Sequence, residues 1–336
     1  VTARPLRLWI VGFGTVGQWL IRALADRGAD LTERYGVRFE IVGVANRTDG
    51  FFYRERGLDL RGVSSLTDLP DVRRWPTALE GLRETEADVL VEVSESPPPS
   101  GEPGRSHLEE ALRRGIPAVT SNKWPVALHG VELAELARSE SVSFLAESTV
   151  MSGTPVLRTL TEGLAGASPT AVRGVLNATA NYIVSAMAKG QAYPDALADA
   201  QEKGLAERDP SADVDGHDAV AKAMVLSAIV FGRQLRIEDV SRTGISSVTE
   251  EAASQAALEG RQIREVTTVE GSLARVEPVA LASDDPLARI DGTDNAVVCW
   301  AEPVGQVMVV GPGAGLELAG QGVLSDLIAT APRVGH

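Results

Sequence analysis

The sequence has a single cysteine, Cys299, which excludes an intramolecular disulfide and any cysteine-rich metal site. It also lacks a basic stripe. Its 32 lysines and arginines face 46 aspartates and glutamates, for a net charge of −14 and a pI near 4.9. A chain without clustered cations has nothing to displace phosphate counterions, so nucleic acid is excluded as a partner. No apolar run is long enough to span a membrane, and no signal peptide is evident. The short apolar run near the start, "LRLWIVGFG", ends in glycines as a buried strand does. The expectation is a cytoplasmic protein. There is no internal repeat, and the proline-rich "SPPPSGEPG" (96–104) is too short for a domain linker. What is present is ordinary globular material. With 44% hydrophobic residues and a mean hydropathy near zero, 336 residues suffice for two domains with cores that need no staples.

The first half reads as a nucleotide-binding domain. "LRLWIVGFGTVGQWLIRAL" is an apolar strand, then Gly12-x-Gly14-x-x-Gly17, then an amphipathic helix. Glycines at this spacing permit a tight turn, close approach to a pyrophosphate and close helix–strand packing, and the helix N-terminus meets the anion. Strand-like runs follow at "FEIVGVAN" (39–46), "ADVLVEV" (87–93), "IPAVTSN" (116–122) and "VSFLAE" (142–147), with helical stretches between them. That alternation predicts an α/β, Rossmann-type, doubly wound parallel sheet. The second strand ends in Asn46 and Arg47 where an acid would hold a ribose, which leans toward NADP over NAD. The expected cofactor contacts are Gly12, Gly14, Thr15, Val16 and Gly17 on the turn, Asn46 and Arg47, Ser94 and Lys123.

In the second half, "AERDPSADVDGHDAVAK" (206–222) sets five carboxylates ahead of one lysine. It is not a calcium loop, because Lys222 falls where the bidentate glutamate would stand. The following helix, "AVAKAMVLSAIVFG", carries Lys222 as its only charge, and Asp218 lies one turn before it. Two readings are open at this point: an ordinary ion pair at a helix start, or a polar site within a cleft.

Several segments together resemble homoserine dehydrogenase, in its short form without a C-terminal regulatory domain. They are "GFGTVG" (12–17), "GEPGRSHLEEALRRGIPAVTSNK" (101–123), "AESTVMSGTPV" (146–156), "GVLNATANYI" (174–183), "AQEKGLAERDPSADVDGHDAVAK" (200–222) and "GPGAG" (311–315), in the family's order. The resemblance implies that Glu207 and Asp213 grip the substrate's amino-acid head group and that Thr179 touches it. It makes Asp218, Lys222 and Lys123 the catalytic set, with Lys123 near the nicotinamide. It suggests a monovalent cation, Na⁺ or K⁺, held at Glu147, Val150, Ser152 and Thr154. It also implies a homodimer built on an α+β domain that binds the small-molecule substrate. Residues 1–150, with a C-terminal return over 311–336, would form the nucleotide domain, and 151–310 the substrate and dimerisation domain.

The chemistry suits these residues without the family name. Interconverting an alcohol and an aldehyde needs a hydride carrier and a group that moves a proton at oxygen, and a lysine beside another cation can do the second. Ala178, Ala180, Leu205, Met151, Ser152 and Leu318 depart from the family's usual residues. Ala178, Leu205 and Met151 keep open a related dehydrogenase for another amino or hydroxy acid in a specialised pathway, beside the main expectation of L-aspartate 4-semialdehyde and L-homoserine in threonine and methionine synthesis. A non-catalytic nucleotide-binding regulator would have no need of Lys123, Asp218 and Lys222 together.

Overall fold

The computed structural model describes residues 4–271 and 273–334. The chain divides into two compact units, residues 1–153 with 316–336, and residues 154–315.

The first unit is built on seven strands: β1 (Leu6–Val11), β2 (Phe39–Asn46), β3 (Gly50–Tyr53), β4 (Arg73–Trp75), β5 (Val89–Glu92), β6 (Ala118–Thr120) and β7 (Phe144–Leu145). Their order across the sheet is β4-β3-β2-β1-β5-β6-β7. The five strands from β2 to β7 run parallel, while β3 and β4 add an antiparallel edge. β1 shows why helices cover both faces. Leu8 and Ile10 point to one side, into a core with Leu20 and Ile21 of the helix Thr15–Tyr35 and Val323, Leu324 and Leu327 of the helix Leu316–Val334. Trp9 and Val11 point to the other, among Leu82, Leu108, Leu112 and Leu133. A strand buried on both faces reads as a continuous apolar run.

The second unit is a six-stranded sheet of β8 (Ser168–Val175), β9 (Val240–Arg242), β10 (Gln262–Glu270), β11 (Leu273–Leu281), β12 (Asp294–Glu302) and β13 (Gly305–Pro312), in the order β13-β12-β8-β10-β11-β9. All neighbours are antiparallel except β9 and β11. One face carries a core shared by Ile263 of β10 and the helices Ala178–Ala188, Tyr193–Glu202 and Glu250–Leu258. The other gathers Val175, Val266, Ala296 and Val298 with Leu287 and Ile290. Cys299 is buried. The "GPGAG" stretch, expected with the first domain, instead ends β13, with Gly311 opposite Asn295 and Pro312 opposite Asp294. Gly313 lies so close to Asn295 that a Cβ there would meet its amide at 1.9 Å. The ladder therefore holds this stretch in the second unit.

Candidate active site

In the first unit the chain leaves β1 for β2 on one side and reaches β5 on the other, which opens a crevice at the strands' C-terminal ends. The crevice is a cavity of about 510 Å³ lined by Gly12, Phe13, Gly14, Asn46, Arg47, Thr77, Ser94 and His107, among others. The three glycines serve three different needs. Gly12, at φ 119°, lies 2.5 Å from Val93 backbone at the position a Cβ would take. Gly17 would set a Cβ 2.0 Å from the Gly12 carbonyl, so it permits the helix to pack on the turn. Gly14 faces open space, where a ligand can approach. Gly14 is also the N-cap of the helix starting at Thr15 and has no side-chain cap, so no side chain competes for the first backbone N–H groups. Val16 packs against the apolar core. Asn46 is tied to Asp49 through a 2.6 Å amide–carboxylate bond, and Arg47 is exposed at the cavity wall.

Beneath this crevice lies a polar cluster of which the sequence pointed only to Ser94. Glu92, the last residue of β5, has no exposed surface. It accepts from the Ser94 hydroxyl and, at 2.9 Å, from the Asn122 amide, with the His107 ring 3.6 Å away. Asn122 also donates to Ser96 at 2.7 Å and is the N-cap of the helix Lys123–Ser139. A buried carboxylate thus fixes the residue on which Lys123 stands. The signal was an acid closing an otherwise apolar strand, "VLVE", where only a satisfied charge can be buried.

In the second unit Asn177 organises the site. Its Oδ1 accepts from the Ala180 N–H at 2.8 Å and caps the helix Ala178–Ala188. Its amide donates to Asp213 at 2.7 Å and to Asp218 at 3.2 Å. Lys222, 7% exposed, donates to the Leu176 carbonyl at 2.5 Å and pairs with Asp218 at 2.8 Å. Gly216, at φ 79°, turns the chain from the Ser211–Val214 helical turn into the helix His217–Phe231, which brings Asp213 and Asp218 to the same amide. The lysine is therefore neither at a solvated surface nor unpaired. Thr179 donates to the Leu205 carbonyl at 2.7 Å, pinning the loop that leads to Glu207. Glu207 is exposed two residues further on. His217 is exposed, and Trp124 is half-buried.

Glu147, Val150 and Ser152 lie together in the short segment that ends the first unit's main body, and Thr154 opens the second unit. Glu147 is buried, and its N–H donates to the buried carboxylate of Asp326 at 2.8 Å. Among the described residues no group of three His, Cys, Asp or Glu side chains is placed to hold a metal, and no helix is long and apolar enough to cross a membrane.

Two family models cover the chain: the homoserine dehydrogenase NAD-binding domain over residues 12–147 and the homoserine dehydrogenase domain over 155–328. The NAD(+)-dependent homoserine dehydrogenase of Pseudomonas canavaninivorans is 37% identical, over 96% of this chain and 95% of that one. The chain belongs to the homoserine dehydrogenase family. Homoserine dehydrogenase of Methanocaldococcus jannaschii is 34% identical over 95% and 96% of the two chains. A hyperthermophilic archaeal homoserine dehydrogenase solved with NADPH superposes with a TM-score of 0.83 at 30% identity, covering 98% of each chain. As a homoserine dehydrogenase family member the protein is an NAD(P)-dependent oxidoreductase with a Rossmann-type cofactor domain.

Proposed function

We propose that the protein interconverts L-homoserine and L-aspartate 4-semialdehyde, with NADP preferred over NAD, in the cytoplasmic synthesis of threonine and methionine. The observation that carries the reading is the Asn177 clamp, which holds Asp213, Asp218 and the buried Lys222 as one charged cluster. The cofactor, when bound, supplies or accepts the hydride. Gly12, Gly14 and the N–H groups at Thr15 would hold its pyrophosphate, with Asn46 and Arg47 at the ribose and Ser94 and Lys123 at the nicotinamide end.

Asp213 and Glu207 present negative charge to the substrate ammonium, and Thr179 orders the loop beside it. Lys222, oriented by Asp218 and the Leu176 carbonyl, and Lys123, placed by Asn122, are the groups that hold or move the proton at the reacting oxygen. A monovalent cation would be held by the carboxylate of Glu147, which is buried, with oxygens of Val150, Ser152 and Thr154, ligands of the kind that suit a hard cation. A homodimer is supported by the edge strand β13, in which Val310 is 51% exposed, and by Val304 in the turn before it, 54% exposed.

The test is steady-state kinetics of homoserine oxidation. Lys123→Ala and Lys222→Ala should each lower kcat by about 100-fold, the scale of a lost general acid–base group. Glu207→Ala should act chiefly on KM, because the ammonium does not change during the reaction. Absence of homoserine-dependent NADPH formation, or efficient turnover of another hydroxy acid instead, would overturn the reading.

A further inference from the structure

Glu265 lies in the middle of β10 and is 2% exposed, and neither carboxyl oxygen has a hydrogen-bond partner. Side chains alternate along a strand, so Glu265 shares the face of Ile263, which is the helix-covered side. Thr267, next on that face, is also buried with an unpartnered hydroxyl. Glu265 reaches the start of the helix His217–Phe231, where a Cβ on Gly216 would stand 3.4 Å from its Oε2. The β8–β10 register pairs Thr267 with Gly174, and continuing it places Glu265 level with Leu176, the residue whose carbonyl accepts from Lys222.

The charged groups that face this carboxyl can be named element by element. The helix contributes Asp218 and Lys222, and the turn before it Asp213. Arg242 of β9 flanks Gly216 and is engaged by the Asp215 carbonyl. Across the ladder stands Pro278 of β11, which is uncharged. Helix Ala178–Ala188 carries no charged residue, and the helix Glu250–Leu258 carries only Glu250 and Glu251, both exposed in its first turn. Burial, then the nearby Asp218 carboxylate, pushes the Glu265 carboxyl up to about 8; Lys222 opposes this and Asp213 adds to it.

We propose that Glu265 is a positioning residue for the reaction, a buried carboxyl beneath the Asp218–Lys222 pair whose charge state sets how firmly the Lys222 ammonium is held. While Glu265 is neutral, Asp218 is the main counter-charge of Lys222. Once Glu265 ionises, two carboxylates share one ammonium, and Lys222 yields its proton to solvent less readily, so less of it is neutral and able to accept the hydroxyl proton in homoserine oxidation. Proton transfer at Lys222 then slows on the alkaline side. The inference rests on the proposed role of Lys222, and its test separates the two.

Homoserine oxidation is measured from pH 6.5 to 9.5 for the wild type and Glu265→Gln, which holds the neutral state at every pH. The ratio of kcat, variant over wild type, should rise by about three- to tenfold across this range, as expected for loss of one electrostatic neighbour. A ratio independent of pH would overturn the proposal while leaving the proposed function standing. Absence of homoserine oxidation in the wild type would overturn the proposed function instead. Carboxyl-¹³C-labelled glutamate in the wild type provides a readout independent of activity and of the variant's folding. One resonance should titrate above pH 7, and completion of every glutamate titration below pH 6 would overturn the proposal.

Discussion

Glu265→Gln should change how stability depends on pH, and the size of the effect follows from burial. The carboxyl is raised from an ordinary 4.5 to about 8 in the folded protein. A raised folded value means that the folded state holds its proton longer than the unfolded state. The stabilising contribution is therefore complete below pH 4.5 and is lost as pH rises through 8. In between, the wild type loses about 1.4 kcal/mol of stability per pH unit from this group alone. Over the full interval the loss is about 4–5 kcal/mol, an appreciable part of the roughly 5–15 kcal/mol that keeps a domain folded. Glutamine does not titrate, so its own packing cost enters as an offset independent of pH. Urea denaturation followed by circular dichroism at pH 5.5 and pH 8 gives the difference between the two proteins at each pH. The variant's advantage should grow by about 3 kcal/mol between those values. A difference that stays constant from pH 5.5 to 8 would show that Glu265 is ionised in the folded protein and would refute the reasoning.

Asn177→Ala removes a helix cap worth about 1 kcal/mol together with the amide that holds two carboxylates side by side. Its melting temperature should fall by several degrees and kcat/KM at least tenfold, and a melting shift with normal kcat/KM would reduce Asn177 to a cap. Asp218→Asn leaves the largely buried Lys222 ammonium without its carboxylate, so about 3 kcal/mol of stability should be lost along with turnover. Normal turnover in the folded fraction, read by kinetics beside thermal melting, would favour the bare ion-pair reading. Arg47→Ala should raise the KM for NADPH far more than that for NADH, since a charge-assisted phosphate contact is worth about 1.5–3 kcal/mol. Equal effects on the two cofactors would remove Arg47 from the 2′-phosphate.

The parallel part of the first sheet was legible in the sequence because it is governed by local rules. The Gly12–Gly17 turn is dictated by backbone clearance, and β1, β2 and β5 are buried enough to read as apolar runs. The antiparallel edge was not legible, because "GFFY" and "RRW" are too short for any period to show. Asp218 and Lys222 were found as a pair because they lie one helical turn apart. Asn177 was overlooked because its partners lie 36 and 41 residues away, although an asparagine ahead of a helical run is a readable cap. Glu265 was invisible for a different reason. In "QIREVTTVE" a charged residue on an alternating strand implies a solvated face, and only the packed helices show that the face of Ile263 and Glu265 is covered. Glu92 closed a strand whose other residues were fully apolar, and its partners Ser94 and Asn122, with Ser96 behind Asn122, come from the two loops that fold over it.

The helix Leu316–Val334 supplies Val323, Leu324 and Leu327 to the core of the first unit, although more than 160 residues separate it from Gly153. This has a consequence for synthesis. While the ribosome is still making residues 154–315, the sheet that starts at Leu6 has every strand in place, but the apolar face it shares with the helix Thr15–Tyr35 is only partly covered. The second unit, continuous in sequence, can complete its own core before the first one does. The nascent nucleotide-binding unit must therefore wait, with Leu8, Leu20 and Ile21 exposed to chaperones or to its neighbours on the polysome, until the last helix emerges and covers them.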